Sequence, residues 1–306
     1  MYDKVTLWID RAVIGVERFE RLKWFADGKN WFRAESIYLR FTEHSIRCTG
    51  SLAKWFEGSN LNALTHAEAV EVIDDFCRLL DLDPSEVRVS GVEFGGTYEV
   101  SQPPSRYLEL LGELPRAKRL SVAKGAELQT LNYQSTAQTP TFCHTLYDKG
   151  AEMNIEGNLL RFELRYRKKM AQTLGVKGGV WLSTLREGWF FRKLQERSMA
   201  ILKQIKKMGQ IDNAPETIKG VKDGYEMLFG QLLGGDPTII ERHIKSLKRL
   251  RVYKYPKEYS LLKSKLNKAV ERWGRQQGDN PQLITEFVDL VEREMERCKP
   301  LCEHLE

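Results

Sequence analysis

The segment LLRFELRYR, Leu159–Arg167, leaves little freedom in how this chain can fold. Leu160, Phe162, Leu164 and Tyr166 alternate with Arg161, Glu163, Arg165 and Arg167. Successive side chains on a strand point to opposite faces, so this strand is apolar on one side and charged on the other. Its apolar side needs a covering layer.

The elements around it supply one. VTLWI (Val5–Ile9), SIYLRF (Ser36–Phe41) and SIRCT (Ser45–Thr49) are short β-branched or aromatic runs, and the last two, joined by Thr-Glu-His, read as a hairpin. HAEAVEVIDDFCRLLDLD follows with Ala69, Val72, Ile73, Phe76, Leu79 and Leu80 at helical spacing behind a Thr65 N-cap. RVSGVEF (Arg88–Phe94) is a strand, and the paired prolines of PPSRYLELLGEL suit a helix start. Strands are expected around Ser121, over Leu128–Tyr133 and over TFCHTLYD (Thr141–Asp148). The order predicts an α+β domain, an antiparallel sheet flanked by helices, over residues 1–172.

Beyond about Lys168 helical periodicity takes over, through GWFFRKLQERSMAILKQIKKM, APETIKGVKDGYEMLFGQLL, PTIIERHIKSLKRL, KEYSLLKSKLNKAVERW and NPQLITEFVDLVEREMERC. Breakers at Asn213 to Pro215, Gly234 to Pro237, Pro256 and Gly278 to Pro281 separate them. Residues 173–306 are therefore expected to form an all-helical C-terminal region.

With 306 residues and 42% hydrophobic content the chain can bury a real core in one or two domains. Lys plus Arg exceed Asp plus Glu by 48 to 42, a net charge of +6, which suits an acidic polymer without demanding one. The five cysteines are scattered and odd in number, and Cys298 and Cys302 lack partners for a zinc site, so reduced thiols are expected. MYDKVTLWIDRA has no signal-peptide core, and no apolar run approaches about 18 residues. The expectation is a soluble protein of the cytoplasm with no membrane partner.

Several residues could carry chemistry. Tyr147 and Lys149 lie two apart on an expected strand, which would put both side chains on one face. A phenol used as a nucleophile needs a nearby cation or metal, because its pKa is ordinarily near 10. The alternative is a pair of ordinary amphipathic strand residues. Glu93, Glu163 and Glu152 could converge on a hard cation such as Mg²⁺, which prefers oxygen ligands. For Glu163 the alternative is an ion pair with Arg161 or Arg165, and for Glu93 a solvent-facing carboxylate. His144 falls on the face opposite Tyr147 and reads as structural. Neither a Walker phosphate loop nor a GxSxG elbow is present. In the helical region Lys245, Lys248, Arg249, Arg251, Lys254 and Lys257 cluster with Tyr253 and Tyr255, a pattern fit for phosphate contact and base stacking, or for a solvated helix face.

Four segments, taken in order, resemble the gene II/gene X replication initiators of filamentous phages and related plasmids. They are SLAKWFEGSNLNAL (Ser51–Leu64), SGVEF (Ser90–Phe94), TLYDKGAE (Thr145–Glu152) and LLRFELR (Leu159–Arg165). They match that family's AK-x-x-x-G-x-N segment, its acidic strand, its Y-x-K-x-x-E element and its L-x-R-x-E-x-R strand, within roughly residues 1–175. The family is similar to the HUH rolling-circle endonucleases. The resemblance therefore implies an HUH-like fold and nicking of one DNA strand at an origin through a phosphotyrosine.

It also implies Tyr147 as nucleophile, with Tyr133 of the preceding strand as the competitor, and Lys149 as its helper. Mg²⁺ or Mn²⁺ would sit on Glu93, Glu163 and Glu152. DNA contacts are expected from Lys54, Arg161, Arg165, Lys248, Arg249 and Arg251. The implied partners are origin DNA, single-stranded or as supercoiled duplex, and a host helicase and polymerase in a bacterial cytoplasm. The chain departs from the family in having Glu93 for its Asp and Gly91 for the preceding basic residue, and it lacks the paired histidines of typical HUH enzymes. Rival readings are a non-cutting replication or copy-control protein and a relaxase or transposase of the same chemistry.

Overall fold

A computed structural model describes residues 1–25, 31–34, 36–124, 127–136, 142–167, 169–207, 237–275 and 280–300. Its strands are β1 (Tyr2–Asp10), β2 (Trp31–Ala34), β3 (Ile37–Phe41), β4 (Ser45–Ser51), β5 (Val87–Glu99), β6 (Ala117–Lys124), β7 (Glu127–Ser135), β8 (Phe142–Asp148) and β9 (Leu159–Tyr166). Its helices are α1 (Arg11–Ile14), α2 (Val16–Phe25), α3 (Leu52–Glu57), α4 (His66–Leu80), α5 (Pro104–Leu110), α6 (Lys149–Met153), α7 (Met170–Leu174), α8 (Leu182–Arg186), α9 (Gly188–Gln204), α10 (Pro237–Arg249), α11 (Pro256–Arg275) and α12 (Asn280–Arg297). The predicted helix over APETIKGVKDGYEMLFGQLL lies outside the described residues.

The described strands form one antiparallel sheet in the order β2-β3-β4-β1-β5-β9-β8-β7-β6. Two meanders, β2–β4 and β6–β9, flank the long central pair β1 and β5. The expected α+β class, an antiparallel sheet with helices around it and further helices toward the C-terminus, is what the chain adopts.

Local chemistry explains the elements. At α4, Thr65 Oγ1 accepts from the Glu68 amide while Glu68 Oε2 accepts from the Thr65 amide at 2.7 Å, a reciprocal capping box. Ala69, Val72, Ile73, Phe76 and Leu80 are buried as the spacing predicts, whereas Leu79 is exposed and Cys77 takes the inner position. The hairpin closes through the Thr42 amide donating to Ser45 O at 2.9 Å.

On β9 the alternation is realised: Leu160, Phe162, Leu164 and Tyr166 are buried on one face. Aromatic rings meet edge-on along that core. Phe191 of α9 lies 5.2 Å from Tyr2 and 5.2 Å from Phe94, and Phe287 of α12 lies 5.7 Å from Tyr98 and 6.5 Å from Phe162.

This packing redraws the division expected at residue 172. One compact unit comprises residues 1–108, 113–205 and 287 onward; a second comprises 109–112 and 206–286. The reason is the apolar sheet face, which α8, α9 and the C-terminal part of α12 cover with Leu182, Leu185, Phe190, Leu194, Ile201, Phe287 and Val291. These helices cannot be a separate module, because the sheet would be left with a bare apolar side. In the second unit, α10 and α11 pair through Ile240, Ile244 and Tyr259, flanked by Leu247, Leu262 and Leu266.

Gly95 on β5 stands opposite Glu163 on β9, where the backbones approach closely. A Cβ there would sit 2.0 Å from Phe162 O and 2.9 Å from Glu163 Cα. We expect Gly95→Ala to lower stability by about 1–3 kcal/mol through forced backbone displacement, read as a lower urea midpoint. An unchanged midpoint would mean that β5 and β9 part freely.

Candidate active site

The polar side of β9 is the middle row of a cluster that the register assembles. Arg161 is paired with Thr97 on β5 and Tyr147 on β8; Glu163 with Gly95 and Thr145; Arg165 with Glu93 and Cys143. Directly paired residues in an antiparallel ladder share a face. Residues far apart in sequence thus meet on one surface.

Glu163 is its centre, only 2% exposed. Its Oε1 accepts the Tyr147 hydroxyl at 3.0 Å and Arg161 Nε at 2.6 Å; its Oε2 accepts Arg165 Nε at 3.2 Å and Nη2 at 2.8 Å. Arg161 is equally buried and extends the cluster to Asp3 Oδ2 at 2.6 Å and Thr97 Oγ1 at 2.9 Å. Asp3 also accepts from Ser51 Oγ at 2.6 Å and Asn60 Nδ2 at 3.1 Å. Burial works to push the Glu163 carboxyl up, but the Arg161 and Arg165 guanidiniums outweigh it, so Glu163 titrates below the usual carboxylate range. Burial, followed by the Glu163 charge, pushes the Tyr147 phenol well above its ordinary value.

In this cluster the carboxylates expected as metal ligands have other partners. An ionised carboxylate offers about four acceptor positions, and four donors fill those of Glu163. Two guanidiniums beside it would also repel a divalent ion. Glu152 is exposed and held by Lys149 Nζ at 2.6 Å, and Glu93 lies 3.7 Å from Arg165 Nε. Among the described residues no group of three or more His, Cys, Asp or Glu could hold a metal ion. The donor set does not fit Mg²⁺ or Mn²⁺. The alternative for Glu163, an ion pair with its neighbouring arginines, is what the chain builds.

Lys149 does not share the strand face with Tyr147. β8 ends at Asp148, whose side chain accepts the Ala151 amide at 2.9 Å and starts α6. Lys149, 3% exposed, instead lies over the Tyr147 ring, with Nζ 5.8 Å from the centroid. The expected depression of the phenol pKa is reversed, because burial and Glu163 dominate.

Tyr133 is fully buried and cross-strand from His144, so it lies on the opposite face from Tyr147. Burial raises its phenol to about 12. His144, expected to be structural, is buried, stacked on Phe142 at 4.6 Å, and lowered to about 3, first by burial and then by Arg197. The folded ring stays neutral while the unfolded one takes a proton below about 6.5. Stability is therefore lost as pH falls from about 6.5 toward 3, by about 2 kcal/mol at pH 5. Urea denaturation of His144→Leu should flatten the acid limb by that amount; parallel curves would show that water reaches the ring.

Of the expected DNA contacts, Arg161 is excluded by its burial. Arg165 is partly exposed, and Lys54 is exposed on α3. In the second unit Lys248, Arg249 and Arg251 are exposed at the turn between α10 and α11. That turn is latched by the Tyr253 amide donating to Tyr259 Oη at 2.9 Å. No sequence pattern points to Asp3, Asn60 and Thr97, which the fold brings into the cluster. Their role depends on strand register and chain wrapping, which no local pattern reveals.

No family model matches the chain, and no curated protein matches it. Among solved structures, a rolling circle replication initiator protein from Geobacillus stearothermophilus is similar over 70% of this chain and 88% of that one, with 11% identity and a TM-score of 0.40. A likeness so distant carries no argument. Function has to be read from the site. No helix among the described residues is long and apolar enough to cross a membrane.

Proposed function

We propose that the chain is a replication initiator that nicks one strand of origin DNA through Tyr147 and later rejoins it. The observation that carries this reading is the Tyr147 hydroxyl donating to Glu163 while two guanidiniums grip the same carboxylate. A phenol, a carboxylate able to receive its proton and a partly exposed arginine are the parts a phosphoryl transfer requires. The four sequence segments that resemble phage initiators add to it, since two of them place Tyr147 and Glu163 in matching positions.

The step balances simply. Tyr147 Oη bonds to the scissile phosphorus and its proton goes to Glu163 Oε1. The P–O3′ bond breaks, and the leaving 3′ oxygen takes a proton from water. Reversal by another 3′ hydroxyl rejoins the strand. A raised phenol and a weakly basic carboxylate make the proton transfer uphill in the free protein. An incoming phosphate changes that by drawing Arg165 from Glu163 and so raising the basicity of the carboxylate. A host polymerase would extend the free 3′ end while a host helicase unwinds the duplex ahead of it. The exposed cations at the α10–α11 turn would hold duplex phosphates.

The test is incubation with a supercoiled origin plasmid and a suicide oligonucleotide, followed by mass spectrometry of the adduct. A nucleotide joined to the Tyr147 peptide supports the reading. Binding with no adduct favours a non-cutting replication protein and overturns it.

A further inference from the structure

The polar face of the sheet continues past the Glu163 cluster onto β5, β1, β4 and β3, where helices leave it open. The register lays out two rows there. Arg40, Arg47, Trp8 and Arg88 are successive cross-strand neighbours, and Tyr38, Thr49, Thr6 and Gly91 form the next row. Trp8 is 43% and Tyr38 51% exposed, unusual for large aromatics on a central part of a sheet. Arg40, Arg47, Lys4 and Arg167 are exposed and make no ion pair with any described residue. Between Lys4, Arg47 and Arg167 lies a depression of about 470 Å³ with Thr6, Thr49 and Glu93 in its walls. A register shift between Thr6 and Leu7 and the missing side chain of Gly91 open its floor.

We propose that this half of the open sheet is a platform for single-stranded DNA, with Trp8 stacking on a base and Lys4, Arg47 and Arg167 meeting the phosphates. Duplex bases are stacked on one another and offer no face to an indole, whereas an unpaired base does. An acidic protein could match the cations but would leave the exposed Trp8 indole without a reason. β1 lies three strand steps from β8 in the sheet, about 14 Å at the usual strand spacing. A strand held at Tyr147 would therefore run over Arg165 onto the platform. The identity of the strand as DNA rests on the nicking reading; the site rests on the sheet alone.

The experiment uses the full chain carrying Tyr147→Phe, so that no cleavage occurs, and fluorescence anisotropy with labelled oligo(dT). Adding Trp8→Ala should weaken binding about tenfold, and Trp8→Phe should recover most of it. Adding Lys4→Ala with Arg47→Ala should lower the slope of log affinity against log salt by about 1.4, or about 0.7 per lost phosphate contact. Urea midpoints of these surface variants should match the parent. Unchanged affinity and slope overturn the platform, and tighter binding of oligo(U) overturns DNA as its occupant. If binding depends on Trp8 but no adduct ever forms at Tyr147, the platform stands and the nicking reading falls. If the adduct forms while the variants bind like the parent, the reverse holds.

Discussion

Arg161→Met is expected to destabilise the sheet unit by about 3–5 kcal/mol, the cost of leaving buried charge without its partner. The side chain fits the space, so little of the loss comes from a cavity. What is lost is a planar fork that joins Glu163 Oε1, Asp3 Oδ2 and Thr97 Oγ1 across β9, β1 and β5. Asp3 keeps Ser51 and Asn60, and Glu163 keeps Arg165 and Tyr147, which places the loss toward the lower end of that range.

Two further results would identify charge as the cause. Asp3→Asn combined with Arg161→Met should recover part of the loss, because one of the stranded carboxylates is then neutral. The deficit should also narrow with acid. In the parent, Glu163 titrates below its unfolded value, so its contribution is present above that value and is lost as pH falls through the folded one. Without Arg161 the folded carboxyl moves up, and the two proteins converge below about pH 4.3, where the unfolded carboxyl protonates. Urea denaturation from neutral to acid pH checks this. A loss under about 1 kcal/mol would mean that the pair behaves as an exposed ion pair.

How much of this was legible follows from how local each signal is. The period of two in Leu159–Arg167 depends only on neighbouring residues, and so does the ion pairing of Glu163 with the arginines two positions away on the same face. The Thr65–Glu68 cap is equally local. Lys149 carries a local signal as well: Asp-Lys-Gly at 148–150 is a helix-start and turn composition, and it takes the lysine off the strand. The Asp3–Arg161 pair spans 158 positions and exists only through the order β1-β5-β9. No periodicity carries that. The boundary at 172 had a similar origin: the spacing in α9 and α12 shows which side of each helix is apolar, but not that the sheet is what it packs against.

Tyr147→Phe should abolish nicking, by at least about 10³-fold, while the protein remains folded. The ring keeps its place under Lys149, and the deletion removes one hydrogen bond to a carboxylate that retains three donors. The stability loss should therefore stay near about 1 kcal/mol. That separation of activity from stability distinguishes a nucleophile from a structural phenol. Tyr133→Phe is the control. Its ring is fully buried on the opposite face, and its hydroxyl cannot approach a phosphate lying over Glu163 and Arg165 without breaking the core. It should cut at a rate within a few-fold of the parent. Relaxation of a supercoiled origin plasmid, scored beside the urea midpoint of each variant, decides between the two tyrosines. Should the Tyr133 variant be inactive and the Tyr147 variant cut normally, the chemistry belongs one strand away, and the Glu163 cluster is a buried structural lock instead of a catalytic centre.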